Sequence, residues 1–221
     1  MDLDLITQKI YEEVANVEPV KEKEGNSILS VKEILPQTVE EAVVAATQND
    51  VEMIAYHWTD DGFRFYPVTK NSNDNEYFLP VKQGILDVGF YDYQLLPLLE
   101  AIFEGNKRTI TYNVKETMHK LKALDVEYIA PYEDVAILKC LADGLGNNDG
   151  LDFCLNYYSL SEKHKAYGAY WLCEHYTKQL NDEEKNLYNN VELPLVLVLF
   201  DMEKQGVCVD LTTLRALSEK Y

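Results

Sequence analysis

The stretch from Glu52 to Val81 limits the fold more than any other part of the chain. Three runs rich in β-branched and aromatic residues, Glu52–Trp58, Phe63–Val68 and Tyr77–Val81, are separated by Asp60-Asp61-Gly62 and by Asn71-Ser72-Asn73-Asp74-Asn75. Both separators are turn chemistry, and both are too short for the crossover that parallel strands need. The three runs are therefore expected to form an antiparallel meander.

Helical signals surround it. Leu3, Ile6, Ile10 and Val14 recur at helical spacing and predict a short amphipathic helix, followed by a polar linker from Val17 to Asn26. Thr38 is a natural N-cap, with acidic residues Glu40 and Glu41 in the first turn and an apolar face up to Thr47. After the meander, the pattern predicts a helix over Tyr93–Phe103, a strand over Thr109–Tyr112, a helix over Lys115–Leu124, an extended piece over Val126–Ile129, and a helix from Asp134 to Leu145 closed by Gly146. From Asp152 onward the chain reads as helical, through Tyr167–Gln179 and Asp182–Gly206. This order predicts an α/β fold, a mixed sheet flanked by helices, with an all-helical C-terminal extension.

The 221 residues, 47% of them hydrophobic, suffice for one substantial domain and an appendage. The longest apolar run, Leu193–Phe200, contains Pro194 and falls far short of the ~20 residues a membrane span requires. The acidic start Met1-Asp2-Leu3-Asp4 lacks the basic character of a secretion signal. Cys140, Cys154, Cys173 and Cys208 share no metal or redox spacing, and each has apolar neighbours. They read as reduced, buried thiols, which places the chain in the cytoplasm with no membrane partner. The balance of 38 acidic to 20 basic residues gives a net charge of −18, so the chain alone is expected to hold DNA weakly.

The most specific segment is Tyr188-Asn189-Asn190-Val191-Glu192-Leu193-Pro194-Leu195, running through Met202-Glu203-Lys204-Gln205-Gly206 to Val207-Cys208-Val209-Asp210. Leu195, Val198, Leu199 and Met202 make an apolar helical row, Gly206 can adopt the positive φ that stops a helix, and Asp210 can cap the next one over Leu211–Lys220. The segment resembles the entry into the thumb of family A (bacterial type I) DNA polymerases, where Glu-x-Pro-Leu runs into Met-Glu-x-x-Gly. Weaker likenesses to the proofreading exonuclease domain of that family precede it in order: Lys32-Glu33-Ile34-Leu35 with the Thr38 helix, Asn113-Val114-Lys115 with Met118-His119-Lys120-Leu121, and Pro131-Tyr132-Glu133-Asp134 with Leu138 and Leu141. The resemblance implies a ribonuclease H-like sheet. It also implies three parts: an N-terminal helix and linker (1–27), a degenerate exonuclease-like domain (28–186) and the start of the thumb (187–221).

Active members of that exonuclease family hold two divalent ions with four carboxylates. Aligned on this chain, the first motif falls on Tyr56-His57-Trp58, so Tyr56 and Trp58 stand where acids are expected. The second motif's Asp falls on Thr117, and the third motif's on Tyr170 within His164–Tyr170. Other acids read otherwise: Asp60 and Asp61 as hairpin turn, Glu133 and Asp134 as a helix N-terminus, and Glu174 as a solvated or locally paired carboxylate. His57, His119, His164 and His175 share no ligand spacing, and Gly144–Gly150 reads as a helix end and loop rather than a phosphate cradle.

The expectation is a non-catalytic scaffold with no catalytic residue, cofactor or metal of its own, its former cleft filled by Tyr56, Trp58, Thr117 and the Tyr167–Tyr170 helix. Its parent would be a DNA polymerase I, using magnesium for templated synthesis in replication and repair. DNA would be held through the parent's thumb and palm, and the remaining polymerase domains would be partners in cis. Because the chain stops at Tyr221, before any palm motif, it is not expected to polymerise. Two other readings stay open: a metal-dependent 3′–5′ exonuclease with relocated carboxylates, and an acidic module that docks a basic protein.

Overall fold

The fold is described by a computed structural model over residues 31–70, 74–82, 84, 87–144, 150–208 and 210–220. The expected helix and linker of residues 1–27, and Gly146 at the end of a helix, lie outside the described residues. A six-stranded mixed sheet forms the centre, in the order β1-β4-β3-β2-β5-β6. The strands are β1 (Lys32–Ile34), β2 (Val51–Thr59), β3 (Gly62–Thr69), β4 (Asn75–Pro80), β5 (Arg108–Thr111) and β6 (Tyr132–Asp134). β2, β3 and β4 are the antiparallel meander, while β5 runs parallel to β2, β6 to β5, and β1 to β4. Gly62, at the start of β3, lets β4 come close, since a Cβ there would lie 2.4 Å from the Leu79 carbonyl oxygen.

The helices are α1 (Val39–Thr47), α2 (Leu96–Phe103), α3 (Val114–Ala123), α4 (Val135–Asp143), α5 (Leu151–Tyr157), α6 (Lys165–Gln179), α7 (Asp182–Leu187), α8 (Leu193–Gln205) and α9 (Leu211–Lys220). As expected, Thr38 caps α1 by accepting from the Glu41 N–H. One sheet face buries Ile54, Tyr56, Phe63, Phe65 and Leu79 against Ala42, Ala46, Leu98, Ile102 and Phe103 of α1 and α2. Successive strand residues point to opposite faces, so Ala55, Tyr66 and Ile110 turn to the other side, where they meet α4, α5 and α6. The packing of α5 on α6 is close: a Cβ at Gly168 would lie 2.3 Å from a Leu155 methyl.

Helix runs almost without break from α7 through a π-turn at Tyr188–Glu192 into α8. Gly206 ends α8 at φ +66°, and Asp210 caps α9 by accepting from the Thr212 and Thr213 N–H groups. Both features follow the sequence reading, but the side of α8 that packs does not. Val196, with Phe200, meets Val114 and Met118 of α3, while Leu195, Val198, Leu199 and Met202 face outward.

Three further expectations are corrected. Val126–Ile129 is not a strand, because the Ile129 and Ala130 amides donate to the Phe103 carbonyl. The strand in that region is Tyr132–Asp134, so Glu133 belongs to β6 and only Asp134 caps a helix. Cys154 and Cys173 are buried as expected, but Cys140 is partly open and Cys208 is exposed. No helix among the described residues is long and apolar enough to cross a membrane.

Candidate functional site

The parallel strands β2, β5 and β6 end on the same edge of the sheet, the edge where open α/β folds place their ligands. A cleft of about 720 Å³ opens there, with walls that include His57, Trp58, Asn113, Glu116, Thr117, Lys139, Asp152 and Lys165. One buried carboxylate, Asp134, holds the backbone of two of its lining residues, Asn113 and Ala136. Asp134 Oδ2 accepts from the Val114 N–H at 2.8 Å, and Oδ1 accepts from the Asn113 and Ala136 N–H groups at 3.2 and 2.9 Å. Asp134 thus ties the turn from β5 into α3 to the turn from β6 into α4, and Asn113 accommodates the first by adopting φ +68°. Burial pushes the Asp134 pKa up, against those N–H bonds, which favour the anion.

The four positions on which the exonuclease resemblance would place metal ligands divide between two places. Tyr56 and Trp58 share a face of β2, as their spacing requires. Tyr56 is fully buried, with Phe103 edge-on at 5.0 Å and Phe63 stacked at 5.9 Å. Its hydroxyl meets Thr117 and lies 3.2 Å from the Tyr128 hydroxyl; Tyr128 donates in turn to Thr109 Oγ1, which donates to the Pro131 carbonyl. Trp58 is half-buried, edge-on to Phe63 at 5.7 Å, with the Lys120 ammonium donating to its carbonyl.

Tyr170 does not join them. The helix that carries it, α6, packs on the opposite face, where Tyr170 and Tyr167 lie 5.7 and 5.2 Å from Tyr66. The expected single cluster is therefore two, separated by the sheet. The β2 residues on the α6 side include Ala55 and His57, whose importance the sequence signalled only through strand alternation and through the small residues Ala166, Gly168 and Ala169 on α6.

The cleft is electrically mixed. His57 is held neutral, its pKa pushed down to about 4 by burial and by the nearby Lys165 charge. Lys165 pairs with Asp152 at 2.7 Å, while the largely buried Lys139 has Asp143 at 3.9 Å. Glu174 pairs with Lys178, and Glu133 accepts from Arg108 and from Tyr188. Among the described residues, no three or more His, Cys, Asp or Glu side chains gather closely enough to hold a metal ion.

No family model matches the chain, and no curated protein sequence does. Solved structures do, among them the POL domain of Pol1 from M. smegmatis, in complex with DNA primer-template and dNTP. The TM-score is 0.57 at 15% identity, over 86% of this chain and 35% of that one. The likeness is one of fold, and the chain spans about a third of the length of that neighbour.

Proposed function

We propose that this chain is a non-catalytic scaffold from a DNA polymerase of the type I class. In this reading residues 28–186 are a degenerate, ribonuclease H-like exonuclease domain, and 187–221 begin the thumb that it buttresses. The observation that carries the reading is the chemistry at the ends of β2 and β5. Where a two-metal nuclease needs converging carboxylates, the chain presents Tyr56 bonded to Thr117 on one face of the sheet and Ala55 with neutral His57 on the other. The nearby acids are engaged otherwise, Asp134 by backbone N–H groups, Asp152 by Lys165 and Glu116 by Lys120.

The fold likeness to a POL domain solved with primer-template and dNTP supports a polymerase-linked role, with DNA as the partner of the whole protein. A charge of −18 leaves this part holding DNA weakly by itself. Magnesium would belong to the parent's palm, and the protein would work in the cytoplasm, in replication and repair. The test is a nuclease assay of the full chain on 3′-labelled single-stranded DNA with Mg²⁺ or Mn²⁺. The scaffold releases no label above a metal-free control; metal-dependent release would overturn the proposal in favour of a nuclease with relocated carboxylates.

A further inference from the structure

The junction between the sheet unit and the C-terminal helices has an unusual construction. Across Tyr188–Glu192 the helix widens to a π-turn, with the Leu193 N–H reaching back to the Tyr188 carbonyl. Pro194 is the local cause: it has no N–H to give, and its ring would crowd the carbonyl one turn earlier in a regular helix. Such a turn bends the chain and frees backbone groups, which is how hinges are made.

Here side chains on and around the turn hold it in place. Asn189 Nδ2 donates to the Lys185 carbonyl at 2.8 Å. The Tyr132 hydroxyl, from β6, donates to the Leu193 carbonyl at 3.0 Å. Tyr188 is buried and bonds twice: its hydroxyl accepts from the Asp134 N–H at 2.9 Å and donates to Glu133 Oε2 at 2.8 Å. Further along α8, Val196 packs on Val114 and Met118, and Glu203 accepts from both Lys115 and His119 of α3.

We propose that the π-turn at Tyr188–Glu192 is a locked elbow, in which the Tyr188 and Tyr132 phenols fix the direction in which α8 leaves the sheet. The same Asp134 that joins the two turns beside the cleft offers its N–H to Tyr188, so the elbow is keyed to that edge of the sheet. The Tyr188 phenol can keep this role across the physiological range, because burial and the Glu133 charge raise its pKa well above the usual value. The elbow gives the scaffold reading a device for holding the helices, and it is tested separately from nuclease activity.

Distances between spin labels provide the test, with one label on the exposed native Cys208 and one on V44C at an exposed site of α1. C140S removes the partly open third thiol, and Cys154 and Cys173 are buried. The full chain is expected to give one narrow distance distribution. Y188F deletes both phenol bonds and raises the unpinned population roughly tenfold, so the distribution broadens while the sheet unit still melts cooperatively. A broad distribution in the chain without Y188F, or one equally narrow in a folded Y188F chain, would overturn the elbow. If Y188F does not fold, Y132F is read in the same way, through loss of the single bond to the Leu193 carbonyl.

Discussion

A phenol in the middle of an apolar core is costly unless its hydroxyl finds partners, and Tyr56 finds them in Thr117 and Tyr128. Its ring can then fill the space between Phe63 and Phe103 completely. Tyr56→Ala is expected to lower stability by ~3–5 kcal/mol. The half-buried Trp58 should lose less on the same truncation, by about 1–3 kcal/mol. Urea midpoints of the two variants decide this, and an equal or larger loss at Trp58 would show that the packing centre has been misplaced.

Glu76 makes a different kind of residue-scale prediction. It is fully buried, accepts from the Tyr167 N–H at 2.8 Å, and has the Arg64 guanidinium at 3.8 Å and His164 Nδ1 at 3.6 Å. Burial raises its pKa from 4.5 to about 7. The folded chain therefore keeps a proton that the unfolded chain has released, a stabilisation fully present below pH 4.5 and lost as pH rises through 7, worth roughly 3 kcal/mol across that window. His57, with its pKa pushed down, acts in the opposite sense at the lower end of the range. The useful measurement is thus the difference between the chain and Glu76→Gln. The unsubstituted chain should gain on the variant as pH falls from 8 to 5, and a difference independent of pH would contradict the assignment.

At the scale of elements, Asp134 joins the N-termini of α3 and α4. Asp134→Ala would leave the N–H groups of Asn113, Val114 and Ala136 without an acceptor. The expected loss is about 2–4 kcal/mol, with faster amide exchange in the first turns of those two helices. A loss below about 1 kcal/mol would mean that other groups satisfy those amides. The elements that were legible in the sequence are those whose signals are local. The meander shows through turn residues and alternation, α1 through its Thr38 cap, and the α8–α9 step through Gly206 and Asp210. β1 and β6 were not legible: each has three residues and is defined mainly by pairing with β4 or β5.

The candidate site was legible on the same terms. Strand alternation placed Tyr56 and Trp58 together, but both faces of β2 are apolar, so periodicity gave no sign of which one α6 covers. The outward row on α8 differs from its expectation for a similar reason. Leu195, Val198 and Met202 have the spacing of a packed face, yet the shorter set around Val196 makes the contact with α3.

On the scale of the whole molecule, the carboxyl edge of the sheet is organised to hold helices in place. Asp134, Tyr188 and Glu133 form one hydrogen-bonded chain from the turn that leads β5 into α3 to the C-terminal helices. A metal-binding edge would instead leave carboxylates converging on open space, where their repulsion is relieved only by the ion. Calorimetric titration of the full chain with Mn²⁺ at neutral pH distinguishes the two designs. The scaffold takes up no stoichiometric ion at up to millimolar concentration and melts at an unchanged temperature. A saturable site with one or two ions per chain, together with a rise in melting temperature, would contradict it.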